Sequence, residues 1–230
     1  MKKLLWCGGS HLASARSVID EYFQDCNNTY YVTAGWRNRR WAVAGGRYSV
    51  SHGRVGGNGW RKNIYYDLND FDKIIYVGHY VQIQRYYKFD PHKIPPLSRA
   101  LVNSIHGSED FLVKLPTKTG IALLNEPITM FPKYNSGNHI IMVDPMACYA
   151  FIKWMPNWIK QDFLSKANLK LRELGLIPIS QSADTFDSEY MLTRSDYLKR
   201  SEKGDMLHMN EKYWEIQLQI LRDSTELYAT

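Results

Sequence analysis

The chain has 230 residues, of which 44% are hydrophobic and 23% charged, and its 29 basic and 23 acidic residues give a net charge of +6. This length is enough to bury the core of one domain, and the composition is that of an ordinary globular protein. No apolar run approaches the roughly 18–20 residues that a membrane-spanning helix needs, so no membrane partner is expected.

The cysteines, Cys7, Cys26 and Cys148, are odd in number and widely spaced, with no Cys-x-x-Cys pair. This pattern favours reduced thiols over a disulfide framework and predicts a cytoplasmic protein. No spacing of His, Cys, Asp and Glu along the chain is typical of metal ligands, so no metal site is expected.

Much of the positive charge falls between residues 36 and 62, in WRNRRW and GRVGGNGWRK. Basic residues interleaved with tryptophan and glycine can hold an anionic ligand such as a phosphate, an acidic glycan or a nucleic acid. A solvated basic surface is the alternative interpretation. No helix-turn-helix, zinc-finger or RNP pattern in the sequence supports a dedicated nucleic-acid-binding module.

The predicted elements alternate between strands and helices along the chain. Residues 3–7 are apolar and followed by glycines, which predicts a buried strand. From His11 to Gln24 the apolar residues fall on one helical face, which predicts a helix. Further strands are predicted within 29–36, 41–46, 72–78, 139–145 and 176–180, and further helices at 157–174 and 210–223.

Strands that alternate with helices predict a single domain over residues 1–230, of the three-layer α/β/α class with a mainly parallel sheet. The proline-rich stretch 83–138 interrupts the alternation with short apolar pieces such as FLVKLP. We interpret it as an insertion near the strand ends, where substrate is usually bound. No internal repeat or linker divides the chain.

The opening segment MKKLLWCGGSHLASA raises the question of what its glycines do. The apolar run Leu4–Cys7 is shorter than the about 7–15 residues of a signal-peptide core. The glycines match neither the dinucleotide motif GxGxxG nor the phosphate loop GxxxxGK[ST], so no cofactor is expected. A nucleophilic Ser10 fits, because glycines allow a tight turn and a helix N-terminus stabilises negative charge. The alternative is that Ser10 only caps the following helix.

The other end of the chain carries Asp205 three residues before His208, on a predicted turn before the last helix. A serine nucleophile needs a base to take its proton, and that base needs a carboxylate to fix its tautomer. An Asp-x-x-His turn can supply both groups from one small loop. By contrast, His11 and His52 are interpreted as polar surface or loop residues.

These two ends together resemble the SGNH (GDSL) hydrolase superfamily. The resemblance rests on the turn Gly8-Gly9-Ser10 near the N-terminus and on Asp205-Met-Leu-His208, which is followed by Asn210 and Tyr213. It implies a flavodoxin-like, SGNH-type fold and ester chemistry. Ser10 would be the nucleophile, His208 the base and Asp205 the residue that orients the base.

The resemblance also implies an oxyanion hole, formed in part by the backbone N–H of Ser10. A second N–H comes from a glycine after the second core strand of the family. In WAVAGGRYS the candidate for this glycine is Gly46, with Gly45 as the alternative.

A third donor in the family is an asparagine in a Gly-x-Asn-Asp motif at the end of a strand. After DKIIYV this chain has Gly78-His79-Tyr80-Val81, so Tyr80 stands where asparagine is expected. Tyr80, His79 or Gln82 could supply the missing donor, because each carries a polar hydrogen. Asn138, in SGNHII, is a more distant candidate.

The leading prediction is therefore a serine esterase or O-acyltransferase that acts on a small acyl ester, such as O-acetyl groups on carbohydrate, through an acyl-serine intermediate. One alternative is a binding protein of the SGNH fold with little catalysis, which the altered motif at residues 78–81 favours. The other is a basic nucleic-acid-binding module.

Overall fold

The computed structural model describes residues 1–32, 41–44, 47–50, 53–54, 60–61, 64–78, 135–146, 153, 157–200 and 205–228. The strands are β1 (Lys3–Gly8), β2 (Asn27–Val32), β3 (Trp41–Ala44), β4 (Arg47–Val50), β5 (Gly53–Arg54), β6 (Trp60–Arg61), β7 (Ile64–Asp67), β8 (Lys73–Val77), β9 (His139–Met142), β10 (Ile177–Ile179), β11 (Leu198–Arg200) and β12 (Asp205–Met209). The α-helices are α1 (Ser10–Tyr22), α2 (Asn157–Glu173), α3 (Glu211–Asp223) and α4 (Thr225–Tyr228).

The chain folds as an α/β protein around a mainly parallel central sheet, as the alternating elements predicted. The strand order in this sheet is β10-β9-β8-β1-β2-β5-β6. Strands β10, β9, β8, β1 and β2 run parallel, and the short strands β5 and β6 pair antiparallel at one edge. Because parallel strands point the same way, the C-terminal ends of β1, β8 and β9 share one edge of the sheet.

Strand β1 lies in the middle of the sheet and is buried on both faces. Leu4 and Trp6 belong to one core cluster with the buried side chains of α1 and α3. Leu5 and Cys7 alternate with them and are also buried. A parallel strand covered on both faces is expected to be a continuous apolar run, which is what KLLWCG provides.

The helices that flank β1 come from opposite ends of the chain. The buried residues of α1 recur with helical spacing, as do those of α3, and the two helices pack against each other. Arg222 of α3 also donates a hydrogen bond to the backbone oxygen of Tyr22, the last residue of α1. The N-terminal and C-terminal segments therefore belong to the same layer of the fold.

Most of the predicted elements are confirmed, with one correction to the sheet. The strand predicted at 41–46 is present as β3, but it belongs to a separate antiparallel sheet with the order β3-β4-β7. It is therefore not a strand of the parallel core. The predicted insertion lies outside the described residues except for 135–138, which form the turn into β9.

In the part of the chain that the structure describes, no helix is both long and apolar enough to cross a membrane.

Two glycines let α1 approach the sheet closely. A Cβ atom on Gly8 would lie 2.4 Å from the backbone oxygen of Val77 and 2.7 Å from the Cβ of Leu12. A Cβ atom on Gly78 would lie 2.5 Å from the Cβ of His11. Gly78 also has a φ of +68°, a conformation that side chains disfavour. The start of α1 thus packs closely against the end of β8.

Comparing Gly78→Ala with Gly137→Ala tests this contact. Gly137 also has a positive φ, +84°, but a Cβ there would meet nothing within 4 Å. We expect Gly137→Ala to lower the free energy of unfolding by about 1–2 kcal/mol through backbone strain alone. Gly78→Ala should lose a further ~1–3 kcal/mol because its methyl group collides with His11. Denaturant titration of both variants measures the difference, and equal losses would contradict the close contact.

Candidate functional site

Ser10 is the first residue of α1 and lies directly beyond the C-terminal end of β1, with its side chain exposed. The residue in the N-cap position is Gly9, and no side chain caps this end of the helix. The capping interpretation of Ser10 is therefore wrong. An exposed serine at this edge of the sheet is accessible to a substrate.

The N-terminus of α1 favours negative charge next to Ser10. The first intrahelical hydrogen bond runs from the N–H of Ala13 to the oxygen of Gly9, at 3.1 Å. The N–H groups that precede Ala13 on the helix have no acceptor within it, and the helix dipole adds partial positive charge at this end. An oxyanion formed at Ser10 would meet this positive end.

His208 lies on β12, and its ring comes close to the first turn of α1. The ring centroids of His208 and His11 are 5.5 Å apart, with 44° between the ring planes. His11 directly follows Ser10 in the chain. The structure thus brings His208, from the C-terminal segment, close to His11, the residue after the predicted nucleophile. The two histidines are almost two hundred positions apart in the chain.

The segment that carries His208 is a strand and not the predicted turn. Residues 205–209 pair antiparallel with β11, with Arg200 opposite Asp205 and Leu198 opposite Met209. This pairing holds the backbone extended up to the start of α3. Asp205 is the first residue of the strand, and its side chain lies outside the described residues, so its orienting role stays a prediction.

Asn210 fixes the junction between β12 and α3. Its Oδ1 accepts a hydrogen bond from the backbone N–H of Tyr213 at 3.2 Å, which caps the helix. Its Nδ2 donates to the backbone oxygen of Asp196 at 2.7 Å, and its backbone N–H donates to that of Tyr197 at 2.8 Å. These bonds anchor the chain two residues after His208.

His11 is buried, with 8% of its surface exposed, so its interpretation as a surface residue is wrong. Its ring lies 6.1 Å from that of Trp214 in an edge-to-face arrangement, and its Cβ lies against Gly78. Helical spacing gave a usable signal, because His11 precedes Ala15 by four residues on the buried face of α1. Sequence reasoning missed it because histidine is not apolar.

Asp144 is a second residue that sequence reasoning missed. It lies two residues beyond β9 at the same edge of the sheet, and only 4% of its surface is exposed. Burial, and to a lesser extent the charge of Asp144, raises the pKa of the Tyr213 phenol well above its usual range. Tyr213 therefore stays protonated. The signal was present in HIIMVDP, where an aspartate follows a buried strand.

The remaining candidates divide into two groups. Asn138 hydrogen-bonds Lys73 and Asn135 just before β9, at the edge of the sheet opposite Ser10, so it cannot be an oxyanion donor to Ser10. The other predicted residues lie outside the described part of the chain: Gly45, Gly46, His52, His79, Tyr80 and Gln82.

No group of three or more His, Cys, Asp and Glu side chains among the described residues is arranged to hold a metal ion. Comparisons with protein-family models, with curated proteins and with solved structures gave no match.

Asn210→Ala tests how the strand that carries His208 is anchored. Losing the cap should lower the free energy of unfolding by about 1 kcal/mol. Asn210→Ser is the matched variant, because serine keeps a capping oxygen, adds no charge and loses the donor to Asp196. We expect Asn210→Ser to be the more stable of the two in thermal denaturation, and the reverse order would contradict the capping role.

Proposed function

We propose that this chain is a serine-dependent ester hydrolase or O-acyltransferase of the SGNH type, with Ser10 as nucleophile and His208 as general base. The observation that carries the proposal is the approach of the His208 ring to 5.5 Å from the ring of His11, next to Ser10 at the start of α1. Serine chemistry needs an imidazole near an exposed hydroxyl, and the two come from distant parts of the chain.

The order of the parallel strands supports the finer fold assignment. Taken in chain order, the parallel strands β1, β2, β8, β9 and β10 are arranged 2-1-3-4-5 across the sheet, which is the flavodoxin-like order. In such sheets ligands bind outside the C-terminal ends of the strands, at the point where the order reverses. Ser10 follows β1, which lies at that point.

The reaction begins when the Ser10 hydroxyl attacks the ester carbonyl while His208 accepts its proton. The backbone N–H of Ser10 and the positive end of α1 stabilise the oxyanion. Gly46 and Tyr80 are the further oxyanion donors that we propose. Collapse of the intermediate returns the proton to the departing alcohol and leaves an acyl-serine, which water or a sugar hydroxyl then releases.

Asp205 orients His208 in this proposal, and no cofactor takes part. The substrate that we propose is a small acyl ester, such as an acetylated glycan, and the basic segment 36–62 is a candidate for holding an anionic part of it. We propose a cytoplasmic location because the cysteine pattern is that of reduced thiols. In the part of the chain that the structure describes, Cys26 is a free thiol.

Exposure of the protein to a fluorophosphonate should give one covalent adduct, on Ser10, by intact-protein and peptide mass spectrometry. Ser10→Ala should abolish the adduct. Ser14→Ala, one turn further along α1, is the matched control and should label like the wild type. The absence of an adduct would instead favour the binding-protein alternative, and a steep salt dependence of nucleic-acid binding without labelling would favour the nucleic-acid module.

His208→Ala should lower the hydrolysis of p-nitrophenyl acetate by about 10²–10⁴-fold, because a general base typically contributes that much. Since His208 is only half-buried, the far-UV circular dichroism should be unchanged. Glu211→Ala, at an exposed position near the same strand, is the control. A His208→Ala rate within tenfold of the wild-type rate would remove it as the base.

A further inference from the structure

The ring of His11 lies among the elements that form the proposed site. It contacts Gly78 at the end of β8, it lies 5.5 Å from the ring of His208, and it lies 6.1 Å from the ring of Trp214 in α3. His11 itself belongs to the first turn of α1, beside Ser10. The His11 side chain therefore lies next to β8, β12 and α3. The positions of these segments and of α1 decide the distance between the proposed base, His208, and the proposed nucleophile, Ser10.

An imidazole is a costly choice for this position. The buried face of α1 is otherwise apolar: Leu12, Ala15, Val18 and Ile19. A leucine at residue 11 would fill a similar volume without the free-energy cost of moving ring nitrogens out of water. The geometry therefore favours a polar role for the His11 ring over simple space filling.

We propose that His11 is a positioning residue that sets the place of the His208 ring relative to Ser10; the catalytic part of this inference rests on the proposed function. Two imidazoles whose centroids are 5.5 Å apart can meet through their polar edges, so that one ring holds the orientation of the other. Gly78 and Trp214 hold His11 from the other sides. His11 does not contact the substrate in this arrangement.

Kinetics of two substitutions separate positioning from packing. His11→Leu keeps the apolar volume and removes the ring nitrogens, whereas His11→Gln keeps a polar group within reach of His208. We expect His11→Leu to lower kcat for p-nitrophenyl acetate by about 10–100-fold with little change in KM, because small displacements of reacting groups cost that much. His11→Gln should recover part of the loss. Ser17→Ala, at an exposed position in the same helix, is the control, and it should behave like the wild type.

Packing alone would give the opposite pattern. If His11 only fills space, His11→Leu keeps kcat within about twofold of wild type and His11→Gln is the more damaging change. That outcome overturns the positioning role and leaves the proposed function standing, provided that the wild type is active. Circular dichroism checks that both variants fold.

A second readout does not need activity. The imidazole ¹⁵N signals of His208, assigned by their loss in His208→Ala, should shift in His11→Leu, move back toward their wild-type positions in His11→Gln, and stay unchanged in the exposed control Ser17→Ala. Both His11 variants lose the same ring current, so a difference between them reports the polar contact. If the wild type neither reacts with fluorophosphonate nor hydrolyses the ester, the proposed function fails. The His208 signals then decide the positioning claim: a shift in His11→Leu that His11→Gln reverses in part supports it, whereas equal shifts in both variants, or unchanged signals, overturn it.

Discussion

The close approach of α1 to the end of β8 is the constraint on which the rest of the site depends. Gly8 and Gly78 lack the side chains that would collide with Val77, Leu12 and His11. Any larger residue would move the start of the helix away from the sheet. The exposure of Ser10 at the sheet edge and the burial of His11 beside it both follow from this one contact.

The second constraint is the packing of the C-terminal helix against the N-terminal one. Leu218 and Leu221 of α3 are fully buried, and burying one such side chain contributes about 1.5–3 kcal/mol. Lys2 adds a hydrogen bond from its Nζ to the backbone oxygen of Leu227, at 2.9 Å. Together these contacts offset the entropy lost in joining the two ends of the chain. They also carry His208 to α1, because β12 leads directly into α3.

The proposed chemistry uses these two constraints in combination. The first places an exposed hydroxyl at the positive end of a helix, and the second brings an imidazole to the same turn. The resemblance to SGNH hydrolases pointed to Ser10 and His208 through short motifs, and the proposed pairing is supported by the position of the His208 ring beside His11, the residue after Ser10. The altered segment at 78–81 favours the binding-protein alternative, because Tyr80 stands where SGNH hydrolases have an asparagine that donates to the oxyanion.

The sequence by itself determined the elements whose pattern is local. The periodicity of α1 and α3 and the apolar, β-branched runs of β8 and β9 predicted those elements close to their observed bounds, because helical and extended backbones bury residues with different periods. Only the tertiary structure decided the rest. Residues 205–209 are extended because they pair with β11. Strand β3 lies in a separate sheet because it pairs with β4, which in turn pairs with β7. His11 is buried because Gly78 leaves room for its side chain. A local sequence pattern does not identify the distant residues that make these contacts. The same stretch is therefore compatible with a turn or a strand, and a histidine with the surface or the core, until the segments that pack against it are known.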